Sequence, residues 1–201
     1  RCFQDLPNWT ESPVSDLLDQ AGAAFEHRDY ENALACAEEA ARQTPRSLEA
    51  HHDRALALGK LGRFEDARDA IALLLALGPD DPDSLELAAD FYVNQLAPTA
   101  ERAAIGLEHA RRATRLVRAK DRERRARLLL LEGQALIDLG RAQEALKPLG
   151  LAHQLSPRDA GVRYERGVAL FELCRFGEAR RAFESVVELD ATHAHALYHL
   201  G

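Results

Sequence analysis

The residues through which this 201-residue chain could do chemistry are its histidines, cysteines and paired acids. His193, His195 and His199 gather near the C-terminus. His195 and His199 stand one helical turn apart, a spacing that can chelate a transition metal. Two helix ligands and one loop histidine leave the set incomplete, so no metal site is expected. His51 and His52 are adjacent and point in different directions on a helix. His27-Arg28-Asp29 imitates the start of a kinase catalytic loop, but Leu34 stands where that loop requires Asn. Glu38-Glu39 pairs two carboxylates on what reads as a solvated helix face. No GxSxG, HExxH, GxxxxGK[ST] or GxGxxG motif occurs. Cys2, Cys36 and Cys174 are an odd, scattered set without CxxC, which argues against a disulfide framework and for a reducing compartment. The expectation is a chain with no catalytic residues, no metal and no cofactor.

The strongest local charge feature is Arg111–Arg127. It holds nine basic residues (Arg111, Arg112, Arg115, Arg118, Lys120, Arg122, Arg124, Arg125 and Arg127) against Asp121 and Glu123. One reading is a docking patch for an acidic protein or for nucleic acid, centred on Arg111, Arg112, Arg115, Arg118, Arg122 and Arg125. The other is a helix junction whose arginines pair with acidic neighbours. The net charge of -7 and the lack of interleaved aromatics favour the second, and no nucleic-acid partner is expected.

The elements that must position these residues are helices. Ala and Leu number 36 and 32, whereas Val, Ile and Thr together number 15, a skew that favours helix over a sandwich or barrel. No apolar run is long enough for a membrane span, and residues 1–13 carry no signal peptide pattern. The chain starts at Arg1 and contains no Met, so the natural N-terminus is expected to precede it. The sequence repeats at 34 residues. Ala21, Ala55 and Ala89 keep that step, as do Gly133, Gly167 and Gly201; so do the pairs Tyr30/Phe64, Ala33/Ala67, Pro45/Pro79 and Ala145/Ala179. Two insertions, near Pro98–Arg102 and Asp121–Arg125, account for the phase slip between the halves. Each period reads as a helix pair: Leu48–Lys60, a turn at Gly62-Arg63-Phe64, then Glu65–Leu77. Ser47 and Asp81 stand at N-cap positions, and Pro79 stops the second helix.

The order small residue, turn Gly, aromatic, Ala, Ala, Pro resembles the tetratricopeptide repeat (TPR). It reads Ala21, Arg28, Tyr30, Ala33, Ala40, Pro45 in the first copy and Ala55, Gly62, Phe64, Ala67, Leu74, Pro79 in the second. Gly133, Gly140, Ala142, Ala145, Ala152, Pro157 and Gly167, Cys174, Phe176, Ala179, Val186, Ala191 follow later. Arg28 and Cys174 replace the turn Gly, and Ala142 the aromatic, which puts those turn geometries in question. The resemblance covers residues 14–201. It implies an all-α, right-handed superhelical solenoid of antiparallel helix pairs. Its divisions would be an N-terminal extension at 1–13, repeats at 14–47 and 48–81, and a degenerate repeat with an insertion at 82–120. A repeat with an N-terminal insertion at 121–159, one at 160–193 and the start of another at 194–201 would follow.

In this family the first helix of each repeat lines a concave binding face. The matching positions here include Glu49, His52, Leu56, Lys60, Glu86, Asp90, Asn94, Gln134, Asp138, Tyr164 and Phe171. With Glu26, Asp83 and Glu172, these positions hold seven acids against the two bases Lys60 and Arg127, so a basic or neutral protein or peptide ligand is expected. The Lys/Asn/Arg clamp by which some relatives capture a chaperone carboxylate is missing, since Leu18, Gly22, His52 and Leu56 stand there. Tyr164 and Phe171 read either as apolar anchors for a ligand or as packing between repeats. The resemblance implies a non-catalytic protein–protein interaction scaffold, and the scattered cysteines point to a cytoplasmic location. Two alternatives are the substrate-recruiting arm of a larger enzyme, such as a metallopeptidase with its catalytic domain beyond residue 201, and a scaffold that self-assembles through the basic Arg111–Arg127 patch and the acidic groove, with self-association also expected through an uncapped C-terminal end.

Overall fold

The computed structural model describes residues 13–95 and 97–201, so Cys2 and the expected N-terminal extension up to residue 12 lie outside the described residues. The chain divides into two compact units, Arg1–Pro79 and Asp80–Gly201. Every regular element among the described residues is helical.

Unit 1 contains α1 (Pro13–Glu26), α2 (Tyr30–Gln43), α3 (Leu48–Lys60) and α4 (Phe64–Leu77). Consecutive helices pack together, and α1 also touches α3. The alanines at the 34-residue step make this possible. Ala21, Ala33, Ala40, Ala55 and Ala67 are almost wholly buried, and their single methyl lets two backbones approach closely. Leu34, Leu58, Ile71 and Leu74 fill the remaining space. His51 is buried too, with Nε2 3.0 Å from the Pro45 carbonyl, so its role is to tie α3 to the preceding turn.

Unit 2 contains α5 (Pro82–Asp90), a π-helical turn (Phe91–Gln95), α6 (Ala100–Leu116), α7 (Arg122–Asp138), α8 (Ala142–Leu155), α9 (Ala160–Glu172), α10 (Phe176–Leu189) and α11 (Ala194–Leu200). Neighbours in sequence pack as antiparallel hairpins, and α5, α7 and α9 also touch in succession. Residues near the expected insertions lengthen helices: α7 has 17 residues where α3 and α9 have 13, which adds one turn at its basic N-terminus. Asp81, Asp121 and Asp159 cap α5, α7 and α9, each accepting from the backbone N–H three residues on. No helix among the described residues is long and apolar enough to cross a membrane.

The turns within hairpins share one geometry. Gly62 and Gly140 sit at φ 73° and 69°, and Arg28 and Cys174 adopt φ 58° and 57° in the same place. The hydrogen bonds match: Arg63 N–H reaches the Leu58 carbonyl at 3.0 Å, and Arg175 N–H reaches that of Leu170 at 2.9 Å. Packing of the flanking helices therefore holds two L-residues in the left-handed region that favours Gly. That conformation costs an L-residue about 1–2 kcal/mol, part of which Gly forfeits through its freer unfolded chain. Cys174→Gly is thus expected to stabilise unit 2 by about 0.5–1 kcal/mol in chemical denaturation.

Candidate functional site

In unit 1, Glu49, His52, Leu56 and Lys60 fall three or four residues apart along α3 and form one stripe. Glu49 and Lys60 are exposed, and Leu56 is half-buried. His52 places Nδ1 3.4 Å from Asp53 Oδ1.

In unit 2 the remaining lining residues separate into three groups. The first surrounds Glu86. Arg124, from the added turn of α7, donates to Glu86 at 2.6 Å and meets Asp83 at 2.5 Å, and Arg127 meets Glu86 at 3.2 Å. Asp90 accepts from Asn94 at 2.8 Å and from Gln95 at 3.3 Å. The π turn carries Asn94 and Gln95 back over Asp90, so the acids of α5 already have partners.

The second group lies on α7 and α9. Gln134 donates to Glu165 at 3.0 Å, and the carboxylates of Asp138, Glu165 and Glu172 interact through space. None of the three makes an ion pair with a described residue. Asp138 and Glu172 are exposed and Glu165 is half-buried, and partial desolvation raises the pKa of each above its ordinary value. The charge of Asp138 adds to this for Glu165 and Glu172, while the Gln134 hydrogen bond works against it at Glu165. Gln134 Oε1 is also sealed from water without a partner. A carboxylate with a raised folded pKa favours the native state when protonated, so its contribution is full below the unfolded pKa and is lost as pH rises through the folded value. Glu165→Gln is therefore expected to be more stable than the parent at neutral pH. Denaturant titrations should show the gap closing on acidification and absent below the unfolded Glu pKa of about 4.3.

The third group is aromatic. Tyr164 is ringed by Phe183, His193, His195 and His199 at centroid distances of 5.7, 5.0, 6.1 and 6.0 Å. Its side chain therefore works mainly as packing between α9, α10 and α11. Phe171 remains 45% exposed, with Phe176 and His199 each at 5.4 Å. The three C-terminal histidines join this cluster. Among the described residues, no three His, Cys, Asp or Glu side chains are placed to share a metal ion.

The basic stretch is largely engaged within unit 2. Arg111 donates to Glu132 at 2.8 Å, Arg112 to Asp80 at 3.0 Å and Arg122 to the Gln154 carbonyl at 3.2 Å. Arg125 is half-buried, and its Nε is sealed from water without a hydrogen-bond partner among the described residues. Arg115 and Arg118 are exposed and make no ion pair with a described residue. Sequence reasoning missed Glu165. It lies seven residues before Glu172, which puts both on one helical face, and that spacing could have found it.

A tetratricopeptide repeat model matches residues 18–82. No curated protein matches the sequence. Among solved structures, a thermophilic TPR protein of Thermus thermophilus is 20% identical with a TM-score of 0.68, over 93% of this chain and 96% of that one. PilW, described as a widely conserved type IV pilus biogenesis factor, is 18% identical with a TM-score of 0.80, over 94% and 83%. YrrB, described as a TPR protein with an unusual peptide-binding site, is 19% identical with a TM-score of 0.68, over 90% and 89%. Residues 18–82 match the tetratricopeptide repeat family in sequence, and the chain as a whole has the all-α tetratricopeptide repeat fold.

Proposed function

We propose that this chain is a non-catalytic protein-interaction scaffold whose second unit takes a basic or neutral peptide segment against α7 and α9. One observation carries the reading. Asp138, Glu165 and Glu172 are partly desolvated, repel one another and have no cation among the described residues to balance them. An Arg or Lys side chain would supply that charge. Exposed Phe171 offers an apolar contact nearby for the same segment. Helices hold these groups before the ligand arrives, which lowers the ordering cost of binding. Glu49, His52, Leu56 and Lys60 would form a separate contact stripe on unit 1. A cytoplasmic location fits Cys36 and Cys174, both free thiols.

Calorimetric titration with an Arg/Lys-rich peptide and an acidic peptide of equal length tests the reading. The basic peptide should bind more tightly, and added salt should narrow the difference. Combining Glu165→Gln with Glu172→Gln should weaken basic-peptide binding by about tenfold, equivalent to 1.4 kcal/mol. Binding should also weaken as pH falls through the raised carboxylate range, because the peptide needs the ionised form. Equal affinity for both peptides, unchanged by salt and by the substitutions, would overturn the proposal.

A further inference from the structure

A second concave site lies within unit 2, on different surfaces of the same helices. Arg163, Arg166 and Leu170 fall at positions i, i+3 and i+7 of α9, one stripe of the helix, while Glu165 and Glu172 occupy the opposite one. That stripe is the floor of a cavity of about 380 Å³, walled by His153 of α8 and by Glu178, Arg181, Ala182 and Ser185 of α10. The volume is at the small end of the range of about 300–1,000 Å³ for ligand sites.

The lining is built for an anion. Arg163 is locked in place, donating from Nε and Nη2 to the Pro157 carbonyl at 3.1 and 2.8 Å and from Nη1 to that of Ser185 at 3.2 Å. Its charge cannot swing away. Arg166 makes no ion pair with a described residue, yet its field reaches both His153 and Glu178. Arg181 uses Nε to hold the Gly177 carbonyl at 3.1 Å and makes no ion pair with a described residue. The one acid of the lining, Glu178, is clasped by Arg175 through two hydrogen bonds of 2.8 Å, so its charge is already answered outside the cavity. Three arginines thus face one space with their positive charge unbalanced. His153 responds to that charge: burial, then Arg163 and Arg166, lower its pKa below the usual histidine value, and its Nδ1 is buried without a partner.

We propose that this cavity binds a phosphate monoester dianion, with Arg166 and Arg181 closing on its oxygens and Arg163 supplying fixed positive charge. With Glu178 paired to Arg175 outside the cavity, the three lining arginines leave a formal charge of about +3, which suits a phosphate ester of about -1.5 to -2 better than a single carboxylate. The forked guanidinium geometry suits phosphate oxygens. The site stands apart from the carboxylates of the peptide proposal, so either can fail alone.

The test is NMR titration of the full chain with inorganic phosphate at constant ionic strength, following His153. Bound phosphate should raise the His153 pKa by offsetting Arg163 and Arg166. Arg166→Gln and Arg181→Gln alter exposed side chains, and each should weaken binding by about tenfold. Parallel titrations use a phosphoserine peptide and its unphosphorylated form. Tighter binding of the phosphopeptide than of phosphate assigns the site to a modified protein partner, and equal binding assigns it to a free phosphate compound. A His153 pKa that neither probe moves, or binding that neither substitution weakens, overturns the proposal.

Discussion

Phe183→Ala is expected to cost unit 2 about 3–5 kcal/mol in chemical denaturation. The ring is 1% exposed within the cluster of Leu170, Ala179, Val186 and Ala196, and it stacks on His199 at 4.6 Å and 6°. Its position depends on an absence across the hairpin. A Cβ on Gly167 would fall 2.6 Å from Phe183 Cε1 and 2.8 Å from Cδ1, so the ring occupies the space of the missing side chain. Truncating the ring leaves a cavity that Gly167 has no atoms to fill. The same geometry makes Gly167→Ala unfavourable in the parent. Overpacking against a rigid ring costs about 1–3 kcal/mol, against about 1 kcal/mol gained from helix propensity. In the Phe183→Ala background the clash is gone, and Gly167→Ala should turn stabilising. That reversal of sign is the decisive reading of the double-mutant cycle, since simple additivity would mean the two positions do not meet.

The pairing of Gly167 with Phe183 shows what kind of information the sequence carries. Gly133 and Leu149 are placed the same way, with a Gly133 Cβ 2.5 Å from Leu149 Cγ, and both pairs are 16 residues apart and offset by one 34-residue period. Repetition exposes such complementarity because each copy must satisfy the same local packing. Caps at Ser47 and Asp81 were equally legible, since one side chain and one backbone N–H three residues on define them. Features that depend on departures from the period were not. Nothing in Phe91–Gln95 announces a π turn, yet the close approach of Val93 to Gly106 accompanies it: a Cβ there would stand 2.6 Å from Val93 Cγ2. Arg28 and Cys174 keep a positive φ against their own preference, because the hairpins around them set the turn. The candidate site was legible as a set of lining positions but not as an electrostatic pattern. Its charge depends on which arginines fold back across it, and the extra turn of α7 decides that for Glu86.

Arg124→Ala should therefore destabilise unit 2 by about 2 kcal/mol, below the 3–5 kcal/mol typical of a fully buried pair because both partners remain partly wet. The Arg124 and Glu86 side chains are each 19% exposed. Removing the arginine leaves Glu86 with Arg127 alone, 3.2 Å away on a side chain that is 65% exposed, and takes from Asp83 its ion-pair partner. Burial would lower the basicity of Arg124, but hydrogen bonds and charge from Glu86 and then Asp83 outweigh it, so its pKa is raised and it stays charged at any working pH. Glu86→Gln should cost less than Arg124→Ala, because the amide can still accept from the guanidinium. Arg115→Ala and Arg118→Ala alter exposed side chains without ion pairs to described residues and should stay within about 0.5 kcal/mol of the parent. This contrast divides the basic stretch by role. If Arg124→Ala proved as silent as the other two, the arginines of α7 would be free surface charge, and the acids of α5 would return to the proposed peptide-binding face as available carboxylates. A loss confined to Arg124 means that the added turn of α7 neutralises that end of the face. A basic ligand would then be selected by Asp138, Glu165 and Glu172 alone.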